Sequence, residues 1–134
     1  MNDTQTLGKV LLVEDETLIS VLVAEALSED GFEVHAVGDA EAALQVLNAG
    51  IKFDVLFTDI NLPGMDGTTL AESARQLQPN LAVVYASGRW TLLDRLRAMP
   101  HSAVLPKPYS LTRACAAVEN LLGIVRQAPA PAAV

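Results

Sequence analysis

Short apolar runs alternate with longer stretches of helical period along most of this chain, and polar residues recur where the apolar runs end. Residues 10–13, 33–37, 53–58, 81–86 and 102–105 have the length and apolar content of strands. Residues 16–29, 40–48, 68–77 and 111–126 carry apolar positions at helical spacing, and the shorter segment 90–99 reads as one more helix. Five strand and helix units in succession predict an α/β domain doubly wound around one parallel sheet. Gly31 and Gly50 close the first two helices and Asp39 caps the second. The run at 53–58 is expected to be the most buried strand. In the last helix Leu111, Ala114, Cys115, Val118, Leu121, Leu122 and Val125 share a face, which assigns Cys115 to the core.

The 134 residues suffice for one domain with its own core, and the strand and helix pattern places it at residues 8–126. Residues 1–7 read as a flexible amino terminus. Residues 127–134, an Ala/Pro tract, cannot pack a core and read as a disordered tail. A single cysteine excludes an internal disulfide. The net charge of -7, with nine Lys and Arg spread thinly, argues against a nucleic-acid partner. The hydrophobic content of 51% owes much to alanine. No apolar stretch approaches the roughly 18 residues of a membrane span, so no membrane partner is expected. The start of the chain lacks the basic and apolar regions of a secretory leader, which predicts a cytoplasmic location.

In a parallel sheet the residues that follow the strands converge on one edge, so the polar groups there acquire a joint meaning. Asp59 follows the third run, Glu14 and Asp15 the first, Ser87 the fourth and Lys107 the fifth. Each has a plain structural reading of its own. Asp15 could cap the following helix, Ser87 before Gly88 could be a turn residue, and Pro106-Lys107-Pro108 could be only a turn. Taken together, three carboxylates near one edge repel one another, and a hard divalent cation relieves them. Magnesium suits such a shallow site, because it takes few protein carboxylates, keeps waters and shares a phosphate oxygen. The Lys107 ammonium suits a carboxylate or phosphoryl partner. A serine hydrolase is excluded, since neither His35 nor His101 lies at a strand end beside Ser87 and both read as surface residues.

Glu14-Asp15, Asp59, Ser87 and Lys107-Pro108, each after its own strand, resemble the site of a CheY-like response-regulator receiver domain over about residues 8–126. That resemblance implies a flavodoxin-like (βα)5 fold with the sheet in the order 2-1-3-4-5. It further implies that Asp59 accepts a phosphoryl group from a phosphohistidine on a histidine kinase or a histidine phosphotransfer protein. Glu14, Asp15, Asp59 and the Asn61 backbone carbonyl would hold Mg2+, while Ser87 and Lys107 would hold phosphoryl oxygens. Such a chain is no turnover enzyme and catalyses only its own phosphorylation and dephosphorylation. Its output is a change of shape towards a protein partner, or a role as phosphate shuttle or sink. Asn61 and Arg89 flank the site and would tune hydrolysis.

One departure from that family stands out. The switch aromatic expected three positions before the lysine is replaced by Val104. In compensation, Tyr85-Ala86-Ser87-Gly88-Arg89-Trp90 resembles the signature of the FATGUY receivers, often stand-alone and paired with HWE-type histidine kinases, and Trp90 becomes the alternative switch. Leu18 and Tyr109 lie where the family docks its phosphodonor. Two other classes compete. A phosphorylation-independent interaction module leaves the acidic set unexplained, and a Mg2+-dependent aspartyl phosphatase lacks the second aspartate, since Asn61 stands there. A dinucleotide binder fails because Glu14-Asp15 would repel a pyrophosphate.

Overall fold

The computed structural model of the chain describes residues 6–89, 95, 96 and 99–124. Its elements follow the predicted alternation: β1 (Lys9–Val13), α1 (Thr17–Glu29), β2 (Glu33–Val37), α2 (Ala40–Asn48), β3 (Val55–Asp59), α3 (Gly67–Leu77), β4 (Ala82–Ser87), β5 (Ser102–Pro106) and α4 (Leu111–Leu121). All strand pairs are parallel and the sheet order is β2-β1-β3-β4-β5, the expected flavodoxin-like arrangement. Of the helix expected over 90–99, only Arg95 and Leu96 are described and both are helical. Trp90 lies outside the described residues, as do most of the amino-terminal segment and the whole Ala/Pro tract.

Side chains alternate across the three inner strands and bury two separate cores. Leu11, Val13, Leu56, Val83 and Tyr85 pack with Ala43, Leu47, Leu70 and Ala74 beneath α2 and α3. Val10, Leu12, Phe57 and Val84 pack with Val23, Leu27, Ala114 and Val118 beneath α1 and α4. Both faces of β3 and β4 are therefore covered, and every residue of these strands is buried. Cys115 is half-buried against the second core, on the face assigned to it.

Several boundaries differ from expectation, three of them at carboxyl ends with a clear physical cause. The last helix stops at Leu121 rather than at residue 126, because Gly123 adopts a left-handed φ of 68°. There Gly123 N–H donates to Asn120 O (3.2 Å) and Ile124 N–H to Glu119 O (2.9 Å), which closes the helix with its last carbonyls satisfied. β3 and β4 both run one residue further than the apolar pattern suggests, since the ladder continues through Asp59 opposite Ala86 and through Ser87 opposite Pro106. Asp59 and Ser87 are thus held in the strand ladders and not in loops. Asp66 and Ser110, like Asp39, accept a backbone N–H at a helix start, whereas Glu16 at the start of α1 does not.

Arg75 of α3 and Gln78 just past its end tie down the opposite edge of the sheet. Arg75 donates to Leu81 O (3.0 Å) and His101 O (2.7 Å), and Gln78 both accepts from Phe53 N (2.9 Å) and donates to Ile51 O (2.6 Å). At the site end, α3 begins against β3 itself. Gly67 N–H donates to Ile60 O (2.8 Å), and a Cβ at Gly67 would lie 2.3 Å from the Asp59 carbonyl oxygen. Gly67→Ala is therefore expected to lower unfolding stability by about 1–3 kcal/mol in urea titration, the usual range for overpacking. An unchanged midpoint would show that α3 and β3 are not in this contact.

Candidate functional site

β1 and β3 are adjacent and in register, so the residues at their carboxyl ends are forced together. One carboxylate oxygen each from Glu14, Asp15 and Asp59 falls within 4.8 Å of the others. Glu14 and Asp59 are buried, at 5% and 6% exposure, while Asp15 is exposed. The capping reading of Asp15 is not what the structure shows: Glu16 occupies the cap position of α1, and the side chain nearest that role is Glu14, whose Oε2 accepts from Glu16 N (3.0 Å).

From the other side of the sheet Lys107, just past β5, reaches across β4 to Asp59, with Nζ 2.5 Å from Oδ2. The other oxygen, Oδ1, accepts from Asn61 N (3.2 Å). Ser87 is 1% exposed, and its Oγ accepts from Arg89 N (3.0 Å) while its carbonyl accepts from Lys107 N (2.9 Å). The structure thus brings together the predicted Glu14, Asp15, Asp59 and Lys107, with Ser87 at the neighbouring strand end. Asn61 is exposed in the following loop, and Val104 is half-buried on β5 opposite Tyr85. His101 is exposed as expected. His35 is instead half-buried, its ring edge-on to Phe53, just before β3, at 6.0 Å.

Burial and neighbouring charge shift the protonation of Glu14 and Lys107. Burial raises the Glu14 carboxyl, the Glu16 N–H and Lys107 oppose this, and Asp59 and Asp15 add to it. Burial alone would lower the Lys107 ammonium, but its hydrogen bond to Asp59 and the charges of Asp59, Glu14 and Glu16 outweigh that and raise it. The lysine is a fixed cation at neutral pH. Tyr109 is pushed up to about 12 by burial and then by Glu14 and Asp59, so its phenol stays neutral beside the acids. Its ring meets Phe57 edge-on at 6.1 Å. Sequence reasoning missed Thr58, whose Oγ1 donates to Asp59 O (2.9 Å), and the close approach of Gly67. Neither carries a signal of its own, since Thr58 reads as the end of a strand and Gly67 as one breaker among several.

Beside this site an apolar groove of about 460 Å³ runs between α1 and the turn after β5, lined by Ile19, Leu22, Val23, Pro108, Tyr109 and Leu111. α1 is apolar on nearly all sides, and Leu18 is 72% exposed with Val21 and Leu22 next to it. No helix among the described residues is long and apolar enough to cross a membrane.

A parallel 2-1-3-4-5 sheet with a lysine-paired aspartate and two further acids at its carboxyl edge defines the CheY-like class of doubly wound domain. The chain belongs to the response regulator receiver domain family, whose model matches residues 10–119. Among solved structures, a response regulator receiver protein from Sinorhizobium medicae superposes with a TM-score of 0.78 at 33% identity, covering 86% of this chain and 94% of that one. The receiver domain of the hybrid histidine kinase CckA gives 0.74 at 30% identity, covering 86% and 99%. Sensor kinase CckA of Brucella abortus is 32% identical over 116 residues, which is 84% of this chain and 12% of the kinase. A probable chemotaxis protein CheY of Rhizobium etli is 27% identical over 124 residues, 88% of this chain and 95% of that protein. The chain spans less than half the length of several curated relatives it matches.

Because the folded state holds the Glu14 proton more tightly than the unfolded chain does, stability falls as pH rises through the interval above the ordinary carboxylate value. Glu14→Gln keeps an acceptor for Glu16 N–H and removes the charge. It is expected to raise the metal-free melting temperature at neutral pH by about 2–4 °C, the gain shrinking as the pH falls to the carboxylate range. A lower melting temperature at neutral pH would contradict this electrostatic reading.

Proposed function

We propose that the chain accepts a phosphoryl group on Asp59 from the phosphohistidine of a histidine kinase, with an HWE-type kinase as the candidate, or of a histidine phosphotransfer protein. The observation that carries this reading is the convergence of Lys107, Glu14 and Asp15 on one buried carboxylate. Three acids within 4.8 Å fit a divalent cation, and the donor set is hard oxygen, which favours Mg2+ held by Glu14, Asp15, Asp59 and the Asn61 carbonyl. That cation supplies charge neutralisation to the transferring phosphoryl group.

In the transfer a carboxylate oxygen of Asp59 bonds to phosphorus as the phosphorus–nitrogen bond breaks, and the electron pair returns to the imidazole. Phosphoryl transfer asks for in-line placement and neutralised peripheral oxygens more than for acid–base chemistry. Lys107 is a permanent cation within reach, and Ser87 offers its hydroxyl once it turns away from Arg89 N. The chain is thus its own substrate and not a turnover enzyme. The donor's helix is expected in the apolar groove beside Tyr109 and on Leu18 of α1, in the cytoplasm. Kinship to the receiver part of the kinase CckA supports a phosphohistidine donor.

Intact-mass analysis after incubation with acetyl phosphate and magnesium is expected to show a labile adduct of one phosphoryl group. Asp59→Asn and EDTA should each remove it. An adduct that survives Asp59→Asn would move the acceptor elsewhere. No adduct from acetyl phosphate or from a histidine kinase would favour a phosphorylation-independent interaction module.

A further inference from the structure

Among the described residues the bulkiest fully buried side chain is Tyr85, on β4, two residues before Ser87 and on the same face of the sheet. Its rung partners are Thr58 on β3 and Val104 on β5. Val104 is half-buried against the same core, and the aromatic ring on this rung comes from β4. The ring is 1% exposed and packs in the α2–α3 core with Leu96, Met99 and Val104. Its hydroxyl meets the Met99 Sδ at 3.7 Å, a weak acceptor that suits a buried phenol with few other partners. Burial raises the phenol, with the Arg75 charge and the Ser102 hydroxyl opposing, so it remains neutral.

A ring pinned in this way cannot swing. Its backbone lies in two strand ladders, its faces are packed, and its tip is engaged. It can, however, transmit displacement, because close-packed interiors pass on small shifts instead of absorbing them. Ser87 Oγ accepts from Arg89 N and keeps its own proton to donate, and turning that hydroxyl towards a phosphoryl group on Asp59 would draw in the end of β4. Tyr85 rides on the same strand. We propose that Tyr85 is a positioning residue that carries movement of the Ser87 strand end to Met99, as a fixed strut built on β4. This rests on the phosphoacceptor reading of the site.

The three methionines of the chain make the test direct. Met65 borders the loop that follows Asp59 and reports occupancy of the site, while Met99 reports the far end of Tyr85. With methyl-labelled methionine, magnesium and beryllofluoride as the phosphoryl mimic, both Met65 and Met99 resonances are expected to shift in the wild type. Tyr85→Phe, which keeps the ring and removes the tip contact, is expected to leave the Met65 shift intact and cut the Met99 shift by more than half. Tyr85→Leu should abolish the Met99 shift, and Tyr85→Phe alone decides if that variant does not fold. A Met99 shift of full size in Tyr85→Phe, or none in the wild type while Met65 responds, would overturn the strut. Silence at both methionines in the wild type would instead overturn the phosphoacceptor reading, and the strut with it.

Discussion

Three carboxylates held within 4.8 Å at the ends of two adjacent strands, answered by one lysine ammonium, form the constraint on which the site depends. Nothing local to any of the four residues produces it. β1 and β3 pair in parallel from Val10 opposite Val55 onwards, and this register leaves Glu14 and Asp59 no choice of neighbour. Burial of those two acids opposes folding, and Lys107 offsets part of that opposition through its contact with Asp59. What remains is an unsatisfied excess of negative charge, open to solvent on the Asp15 side. A domain shaped only for stability would not keep it.

The scaffold is correspondingly stiff where the acids sit and held from several directions. Ile60 N–H donates to Ala86 O (3.0 Å), Thr58 Oγ1 and Gly67 both close on the Asp59 carbonyl region, and Asn61 N–H meets Oδ1. Beside it stands Ser87, whose Oγ accepts from Arg89 N at the start of the next loop. On the proposed reading, a phosphoryl group on Asp59 that engages the Ser87 hydroxyl draws on the end of β4. The output then follows the packing of that strand, in which Tyr85 is the largest element.

Much of this was legible in the sequence because burial on both sheet faces writes strands as unbroken apolar runs, and because parallel pairing makes every strand end a site residue. Asp59, Glu14, Asp15, Ser87 and Lys107 could therefore be grouped before any coordinate was known. The order 2-1-3-4-5 was not in the periodicity at all and entered only through family resemblance. Other features escaped for physical reasons. Gly123 ends α4 inside an apolar stretch that reads as continuous helix, since its left-handed φ leaves no trace in the spacing. His35 looked like a surface residue because nothing in its own strand announces the Phe53 ring beside it. Tyr85 read as a strand residue and the first aromatic of a short signature, and its packing stayed hidden because that comes from Val104 across the rung and Met99 at its tip, both distant in sequence.

The most direct test of the acidic set as a cation site is manganese broadening of amide resonances, in which the paramagnetic ion stands in for magnesium. Broadening is expected to centre on Asp15, Asp59, Ile60 and Asn61, to fall away towards Lys9 and Glu33 at the other end of the sheet, and to be displaced by excess magnesium. Asp15→Asn should weaken it. Broadening centred on another acidic surface, or absent at concentrations that saturate a single site, would contradict the claim that these three carboxylates converge to hold a metal.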